Sequence, residues 1–537
     1  MSKPFYYDYF SLRVTDPEEW HRDFFWPVSH SETQRINGDF KKFHCALINR
    51  TGNTFEGDCL LIAYHISSRL IEVVNHYLSL QRLESKNYHV VPSSRLKLIP
   101  LLQKNNEPVE FSHAGLIEAN YSSRVSLRNN VNSLKFNLAK GTFSLHGQFN
   151  GNIHSIASAG VLCHEYVHGS RDWIKIISSG YLLDKDFHDL SVLPKGSSGT
   201  LEVMAEEFVK FTSDYASRNL DIRLPVNILD GLHMFVKGYL LKIACAYSTL
   251  LEKTSHMKIY SFLSSTAGSP YNRALSLAIS KNGGKVTGFP HGFFICHHSG
   301  NRPGFHEFAT VDQFATYTPR SISLFKKNIE TNPLPRGHSI SFVSDNTSFF
   351  KDLHESWDGR ALSDKIKTVM ILELSMIPEW AGYYAAEAMV NYHFYYSLCR
   401  TLSKNGYKVI FKRRPKDLSW DGYNIFEKIP NVEVIHEHFE DPGVIDRCDA
   451  VIMQYGYSST LNWSMCTNKT VIYTDAGWEP WFPEVYDLMS RRCRVLHCSY
   501  DERNRAVFKE DELLSILGKK PGPPDSQYAI KYLYPQD

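Results

Sequence analysis

The sequence predicts an α/β protein with two domains, each built around a doubly wound parallel sheet, and with helical additions in the first half. Three observations support this. At 537 residues the chain is too long for one hydrophobic core. A compact strand–helix–strand pattern covers residues 257–289. Beyond residue 365, apolar runs of strand length alternate with helical periodicity, which is typical of a parallel sheet with crossover helices.

The first half is the less regular part of the pattern. We predict a buried strand at Cys59 to Tyr64, an amphipathic helix at Ser67 to Ser85 and a strand at Tyr88 to Pro92. Residues 110–155 are polar and predict loops or weak strands. The helices and strands expected after them are helices at Ile153–Gly169, Leu201–Asn219, Val226–Thr254 and Pro270–Lys281, and strands at Met257–Leu263 and Lys285–Phe289.

The second half gives a cleaner series. Its predicted strands are Thr368–Leu374, Lys408–Arg413, Val432–His436, Ala450–Gln454, Thr470–Tyr473 and Arg494–His497. Its predicted helices are Ala385–Lys404, Pro442–Arg447, Ser458–Met465 and Lys509–Leu517. We therefore divide the chain into an irregular lead-in, a first domain with a helical insertion, a second domain and a tail, at 1–55, 56–345, 346–520 and 521–537.

Composition and charge exclude several classes of function. The formal net charge is +2, and the short basic runs do not form a nucleic-acid footprint. The first residues lack a signal-peptide pattern, and no apolar stretch reaches the ~18 residues of a membrane span. Ten cysteines without CxxC pairs fit reduced thiols. We expect a cytoplasmic protein, and peripheral association with a membrane stays open.

Two strand ends of the second half have side chains suited to a phosphate group. Lys412, Arg413 and Arg414 follow one predicted strand, where lysine offers a point charge and arginine a fork of donors. Ser458 and Ser459 follow another and begin a helix, whose first N–H groups attract anions. A solvated basic loop and an ordinary helix cap are the alternatives.

A third strand end lies in the first half. The stretch from Lys285 to Phe289 leads into Pro290, His291 and Gly292, which places an imidazole at the carboxyl edge of a parallel sheet. Glycine at position 292 would let a ligand approach the backbone. A packed turn with a structural histidine is the alternative.

The order of these parts resembles the GT-B glycosyltransferases of bacterial surface-polysaccharide assembly, which include the Kdo- and sialic-type transferases of capsule and lipopolysaccharide and the related glycerophosphotransferases. The resemblance covers residues 255–500 and rests on the His291–Gly292 turn, the basic strand end at Lys412 and the serine pair at Ser458–Ser459. It implies two Rossmann-like domains that face each other, with the nucleotide-sugar donor on the second. It also implies a glycan or glycolipid acceptor at the inner membrane, and no required cofactor or metal. The nucleotide is expected to be CMP, carrying an acidic sugar such as Kdo or a nonulosonic acid.

A rival motif lies on a predicted helix. His164, Glu165 and His168 form H-E-x-x-H, whose spacing puts both imidazoles on one helix face as in zinc hydrolases. The third ligand would be a downstream glutamate such as Glu202. In a transferase, Glu165 or His164 would instead act as general base, or Glu165 as nucleophile, with Asp214 as the second candidate. A helix with a structural His/Glu hydrogen-bond pair is the alternative. A non-catalytic glycan-binding scaffold is a further alternative.

Overall fold

The computed structural model describes most of the chain. The described residues are 2–91, 98–104, 107–111, 144–149, 152–157, 190–256, 261–264, 270–290, 297–300, 304–344, 348–373, 388–413, 424–439, 443–454, 458–477 and 479–535, with Asp441 and Gly456. Their strands form a two-stranded, a six-stranded and a seven-stranded sheet. The protein is therefore a mixed α/β protein, as predicted.

The first hundred residues are mainly helical. The elements are β1 (Lys3–Tyr6), α1 (Pro17–Asp23), α2 (His30–Thr51), α3 (Phe55–Ile62), α4 (His65–Ser85), β2 (Tyr88–Val91) and α5 (Leu98–Leu102). Helix α2 starts with a capping box, in which Ser29 and Glu32 exchange hydrogen bonds with each other's backbone N–H. The lead-in that we predicted as irregular thus contains 22 residues of α2 alone.

The strand predicted at Cys59 to Tyr64 is wrong, because these residues lie in α3 and the turn that follows it. Thr54 caps this helix by accepting the N–H of Gly57. Every residue from Gly57 to Ile62 is buried. A short helix that is apolar on all sides has no periodicity to distinguish it from a buried strand.

The middle of the chain carries the six-stranded sheet. Its elements are β3 (Ser144–Phe149), β4 (Asn152–Ala157), α6 (Ser197–Leu220), α7 (Val226–Ser255), β5 (Ser261–Ser264), α8 (Pro270–Lys281), β6 (Lys285–Gly288), β7 (Gln313–Thr316), α9 (Pro319–Thr331) and β8 (Ser341–Ser344). The helix predicted at Ile153–Gly169 is wrong at its start, where β4 pairs with β3 as a hairpin. From β4 to β8 the strands are parallel and their spatial order follows the chain. Within its described strands, this sheet lacks the reversal that a doubly wound sheet requires.

Helix α7 is the long helix of this half. Among the described residues it is the one helix with the length and composition of a membrane span, and 56% of its most apolar window is buried inside the protein. It packs against α6 and α8. A core helix of a globular protein can have the same length, composition and degree of burial, so α7 is only weak evidence for a membrane span.

The last part of the chain carries the seven-stranded sheet. Its elements are α10 (Phe349–Trp357), β9 (Thr368–Leu372), α11 (Ala388–Lys404), β10 (Lys408–Lys412), β11 (Val432–Ile435), β12 (Ala450–Met453), α12 (Ser459–Met465), β13 (Thr470–Asp475), α13 (Pro483–Arg492), β14 (Arg494–Tyr500), β15 (Ala506–Phe508), α14 (Glu510–Gly518) and α15 (Gln527–Tyr532). The strand order is β11-β10-β9-β12-β13-β14-β15. All pairs are parallel except β14 with β15. The order reverses between β9 and β12, so this sheet is doubly wound.

A buried carboxylate ties the helices of the first half together. Asp58 in α3 is 1% exposed. It accepts the hydroxyl of Tyr247 at 2.8 Å and the Arg336 guanidinium at 2.6 Å, and the Lys281 ammonium lies at 3.0 Å. The three partners come from α7, α8 and the turn before β8, so one side chain fixes their packing.

Replacing Asp58 with asparagine is expected to lower the free energy of unfolding by about 3 kcal/mol, because two cations lose their buried counter-charge. Urea denaturation measures this. Asp214→Asn is the matched control, since Asp214 pairs with Arg218 at 3.6 Å on the surface of α6 and such pairs contribute about 0–1 kcal/mol. Equal effects of the two substitutions would contradict the role given to Asp58.

Candidate functional site

The strand order of the seven-stranded sheet reverses between β9 and β12, which makes the carboxyl ends of these two strands its switch point. In open α/β sheets, ligands bind in the crevice at such a switch point. Glu373 follows β9, Arg413 follows β10 and Gln454 follows β12. With Asn391 and Tyr392 from the first turns of α11, we call these residues the switch-point cluster.

An ion pair occupies the centre of the switch-point cluster. The Nε atom of Arg413 lies 3.2 Å from one carboxylate oxygen of Glu373, and Nη2 lies 3.3 Å from the other. The two side chains are 7% and 4% exposed. Burial works against the charge of Arg413, but the Glu373 carboxylate outweighs it and holds the pKa of Arg413 above its ordinary value.

The backbone sets the position of this pair. The N–H of Glu373 donates to the carbonyl of Lys412 at 3.0 Å, and the N–H of Arg413 donates to the carbonyl of Ile435 at 2.9 Å. The ladder of β9, β10 and β11 thus continues one residue past the strands. Both side chains therefore start from rigid backbone at the sheet edge.

Gln454 adds a buried hydrogen-bond acceptor to the cluster. Its Nε2 donates to the side-chain oxygen of Asn391 at 3.1 Å. Its Oε1 is buried and receives no hydrogen bond in the part of the chain that the structure describes. A buried acceptor left in this state costs about 1–3 kcal/mol. An O–H or N–H group of a ligand would satisfy it.

The turn after β12 is occupied by a carboxylate of the chain itself. The N–H of Gly456 donates to both oxygens of Glu479, at 2.9 and 2.7 Å. The hydroxyl of Tyr473 donates to the same carboxylate at 2.7 Å. A side chain at position 456 would overlap Glu479 and the ring of Trp481.

Gly456→Ala is therefore expected to displace the Glu479–Trp481 segment and to lower the melting temperature by several degrees, since overpacking costs about 1–3 kcal/mol. Differential scanning calorimetry measures this shift. Gly518→Ala is the control, because a Cβ there meets nothing within 4 Å. A melting temperature of the Gly456 variant equal to that of the control would show that the segment adapts.

The same segment joins the two halves of the chain. The N–H of Ser299 donates to the carbonyl of Pro480 at 2.7 Å, and the N–H of Phe482 donates to the carbonyl of His297 at 3.0 Å. His297 is fully buried, and its Nδ1 lies 2.9 Å from the hydroxyl of Tyr528 in α15. Burial lowers the pKa of His297 to about 3, so its ring is neutral.

The first half has a buried polar cluster of its own. Arg273, in the first turn of α8, is 0% exposed. Its Nε and Nη2 donate to the carbonyl of Leu61 at 3.0 and 2.6 Å, and its guanidinium lies 4.5 Å from the centre of the Tyr64 ring. Burial lowers the pKa of Arg273 to about 10, against the attraction of Tyr64 and the buried carboxylate of Glu307. The buried positive charge of Arg273 is thus stabilised by the Tyr64 ring, the Leu61 carbonyl and the Glu307 carboxylate.

Comparison with known proteins does not place this chain in a family. No family model matches it. No curated protein matches it either. Among the solved structures that match is MurG of Acinetobacter baumannii, with 11% sequence identity, a TM-score of 0.26, and coverage of 52% of this chain and 68% of that chain. A TM-score this low does not establish a shared fold.

At the basic strand end after β10, Lys412 and Arg413 have hydrogen-bond partners within the protein, whereas we expected free cations. The ammonium of Lys412 donates to the carbonyl of Arg413 at 3.0 Å. Arg413 is paired with Glu373, and Arg414 lies outside the described residues. The role of this strand end in phosphate binding stays a prediction.

The serine pair begins a short helix. Ser458 caps α12 by accepting the N–H of Thr460 at 3.2 Å. Ser459 is the first residue of this helix, which has seven residues. The described contacts of Ser458 are those of an ordinary cap, and the anion site expected here stays a prediction.

Most of the site residues predicted in the first half lie outside the described residues, namely His164, Glu165, His168, His291 and Gly292. Two others are described. Asp214 pairs with Arg218 on the surface of α6. Glu202, the proposed third zinc ligand, forms an ion pair with Lys237 of α7. Within the described residues, no group of three histidine, cysteine, aspartate or glutamate side chains is arranged to hold a metal ion.

Sequence reasoning missed Glu373, Gln454 and Arg273. Glu373 and Gln454 stood at the ends of strands that we predicted correctly, so their position at the sheet edge was available. Their partners were not, because the order β10-β9-β12 is a property of the folded sheet. Arg273 stood in the first turn of a correctly predicted helix, and an arginine there reads as a surface residue.

Proposed function

We propose that this protein is a glycosyltransferase that uses a nucleotide-sugar donor and binds the nucleotide at the switch-point cluster. The observation that supports this most is the buried Oε1 of Gln454, which has no hydrogen-bond donor among the described residues and lies at the same sheet edge as the Glu373–Arg413 pair, where doubly wound sheets bind nucleotides. The order of motifs along the sequence, which resembles the GT-B transferases, supports the reaction class.

Four residues of the cluster have a part in this proposal. Gln454 accepts a hydrogen bond from a ribose hydroxyl or from an amino group of the base. Asn391 holds the Gln454 amide in that orientation through the 3.1 Å hydrogen bond. Glu373 offsets most of the positive charge of Arg413. The guanidinium is therefore suited to orient a phosphate rather than to attract it strongly. Lys412, Arg414 and Ser459 are proposed to stabilise the leaving phosphate.

The finer parts of the proposal come from the sequence resemblance. We propose a CMP-activated acidic sugar such as Kdo or a nonulosonic acid as donor, and a glycan or glycolipid of the cell surface as acceptor. The first half binds the acceptor, with His291 and Gly292 at the donor phosphate. Glu165, His164 or Asp214 serves as base or nucleophile. The reaction takes place in the cytoplasm or at the membrane surface and uses no metal or other cofactor.

Thermal unfolding with CMP, CDP, UDP and GDP tests the nucleotide site. One of the four is expected to raise the melting temperature at millimolar concentration, because a ligand that binds only the folded state stabilises it. If none does, the proposal is overturned. Transfer from the matching nucleotide sugar to a glycan acceptor is the second measurement.

Gln454→Met is expected to raise the Kd of the stabilising nucleotide by about two- to tenfold, the loss that one uncharged hydrogen bond produces. Isothermal titration calorimetry measures it. Gln103→Met, an exposed position at the end of α5, is the control. An unchanged Kd in the Gln454 variant would place the nucleotide elsewhere.

A further inference from the structure

Residues Glu479 to Phe482 lie against the turn that follows β12, and we call them the plug segment. The side chain of Glu479 is 4% exposed, and its two oxygens accept the N–H of Gly456 at 2.9 and 2.7 Å. The hydroxyl of Tyr473 donates to one of these oxygens at 2.7 Å, and Nε2 of His298 lies 3.7 Å from the same oxygen. A carboxylate of the chain is therefore held at the sheet edge by donors from β13 and from the turn.

Trp481 packs against the same turn. Its Nε1 donates to the hydroxyl of Tyr473 at 3.2 Å, and its ring centre lies 4.2 Å from that of His298. A Cβ at position 456 would lie 2.3 Å from a Glu479 oxygen and 2.3 Å from a ring carbon of Trp481. The plug segment thus fills the space directly beside the Gly456 backbone.

The place of this turn in the sheet gives its occupant a functional meaning. Gly456 lies two residues after Gln454, at the carboxyl end of β12 and so at the switch point. Phosphate groups of ligands bind at turns along this edge, where backbone N–H groups donate to them. Carboxylates and phosphates are both oxyanions that accept several hydrogen bonds from such donors. Glu479 therefore uses the donors that a ligand phosphate would need.

The plug segment also pairs with the first half of the chain. The N–H of Phe482 donates to the carbonyl of His297 at 3.0 Å. In the other direction, the N–H of Ser299 donates to the carbonyl of Pro480 at 2.7 Å. These two backbone hydrogen bonds lie within four residues of the carboxylate that occupies the turn. Movement of the plug segment away from the turn therefore breaks or strains the contact between the halves.

The first-half partner of the plug segment is itself held by α9. Nδ2 of Asn328 donates to the carbonyls of His298 and Gly300, at 2.9 and 2.8 Å. Nδ2 of Asn332 donates to the carbonyl of Ser299 at 2.7 Å. Because three successive carbonyls are fixed to one helix, this stretch does not follow the plug segment when that segment moves. The hydrogen bonds between the two are then the ones that give way.

We infer that Glu479 is an internal competitor of the ligand phosphate: it occupies the turn after β12, and the phosphate of a bound nucleotide displaces it together with the plug segment. This inference rests on the proposed function, because it concerns the regulation of that nucleotide site. Displacement breaks the pairing with residues 297–299. Nucleotide binding is thereby coupled to a loosening of the contact between the two halves.

Glu479→Gln tests the competition in the full-length protein. The variant is expected to bind the stabilising nucleotide about tenfold more tightly, because hydrogen bonds to an ionised acceptor are about twice as strong as those to an amide. Pyrophosphate is expected to show the same decrease in Kd by isothermal titration calorimetry. Glu484→Gln is the matched control: it removes a carboxylate that pairs with Lys327 of α9 at 2.7 Å, also between the halves, and is expected to leave both Kd values unchanged.

The outcomes separate this inference from the proposed function. A wild type that binds a nucleotide, together with a Glu479→Gln variant whose Kd is equal or higher, overturns the competition and leaves the proposed function in place. If no nucleotide binds either protein, the proposed function is overturned, and pyrophosphate decides the inference alone. A lower Kd for pyrophosphate in the variant supports the competition, and any other result overturns it.

Hydrogen exchange of the wild-type protein gives a readout that needs no variant. With saturating nucleotide or pyrophosphate, the amides of Phe482 and Ser299 are expected to lose protection, because both donate across the contact that displacement breaks. Mass spectrometry of the peptides that contain these two residues measures the change. A ligand that fills an open site would leave this exchange unchanged or slow it, and either result overturns the displacement of the plug segment.

Discussion

Replacing Glu373 with glutamine is expected to lower the free energy of unfolding by about 3–5 kcal/mol, the cost of leaving a buried charge without its partner. The reason is that Arg413 remains charged and almost fully buried at the end of β10. Its guanidinium has no other carboxylate among the described ion pairs. Urea denaturation at pH 7.5 gives the value.

Two further variants make this prediction specific. Glu437→Gln removes one carboxylate from Arg447, 3.3 Å away in a partly exposed pair outside the strands, and is expected to cost less than about 1 kcal/mol. The double variant Glu373→Leu with Arg413→Met is expected to recover most of the lost stability, because a matched apolar pair replaces the ion pair. A Glu373→Gln protein as stable as the Glu437→Gln protein would contradict the burial of the charge.

Acidification from pH 6.5 to 5 is expected to destabilise the protein steeply. Four buried histidines in the described part of the chain have depressed pKa values, because burial disfavours the charged ring: about 4 for His44 and His76, and about 3 for His297 and His393. In the unfolded chain each titrates near pH 6.5. Between these values the unfolded state binds more protons, so stability present above pH 6.5 is lost as the pH falls.

The size of this effect follows from proton linkage. Each histidine contributes about 1.4 kcal/mol per pH unit inside the window, and four contribute about 5 kcal/mol per pH unit. Because a domain is stable by only about 5–15 kcal/mol, unfolding near pH 5 is expected. Carboxylates with lowered pKa values, such as Glu32 at about 2, also lose their stabilisation as the pH falls, but mainly below this window, so they add little to the slope between pH 6.5 and 5.

Unfolding free energies at pH 7.5, 6.5, 5.5 and 5.0 check the slope. His76→Gln is expected to reduce the slope by about 1.4 kcal/mol per pH unit. The reason is that the difference in bound protons between the unfolded and folded states falls from four to three. His256→Gln at the exposed end of α7 serves as the control. Stability that does not change between pH 6.5 and 5 would show that these rings are not held neutral.

Much of the second half could be predicted from local pattern alone. The strands β9, β10, β12 and β13 are four to six residues long and each contains three or four consecutive apolar residues, and the helices between them are amphipathic. In a parallel sheet with both faces covered, burial acts on each strand in the same way, so a local apolar run is a sufficient signal. The apolar pattern predicted a strand wrongly at α3. This short helix is buried on all sides, so its sequence has no helical periodicity and resembles a buried strand.

Only the tertiary structure showed which side chains meet. Lys412, Arg413 and Arg414 are adjacent cations in sequence, but Arg413 is neutralised by Glu373, 40 positions earlier, because β9 and β10 are neighbours in the sheet. The ring of Tyr9, near the start of the chain, stacks on Tyr392 of α11 in the second half. Such contacts follow from strand order and chain crossings, which depend on the summed packing of distant elements and leave no trace in local periodicity. The sequence therefore specified the sheet edges where chemistry is expected, and folding selected the residues gathered there.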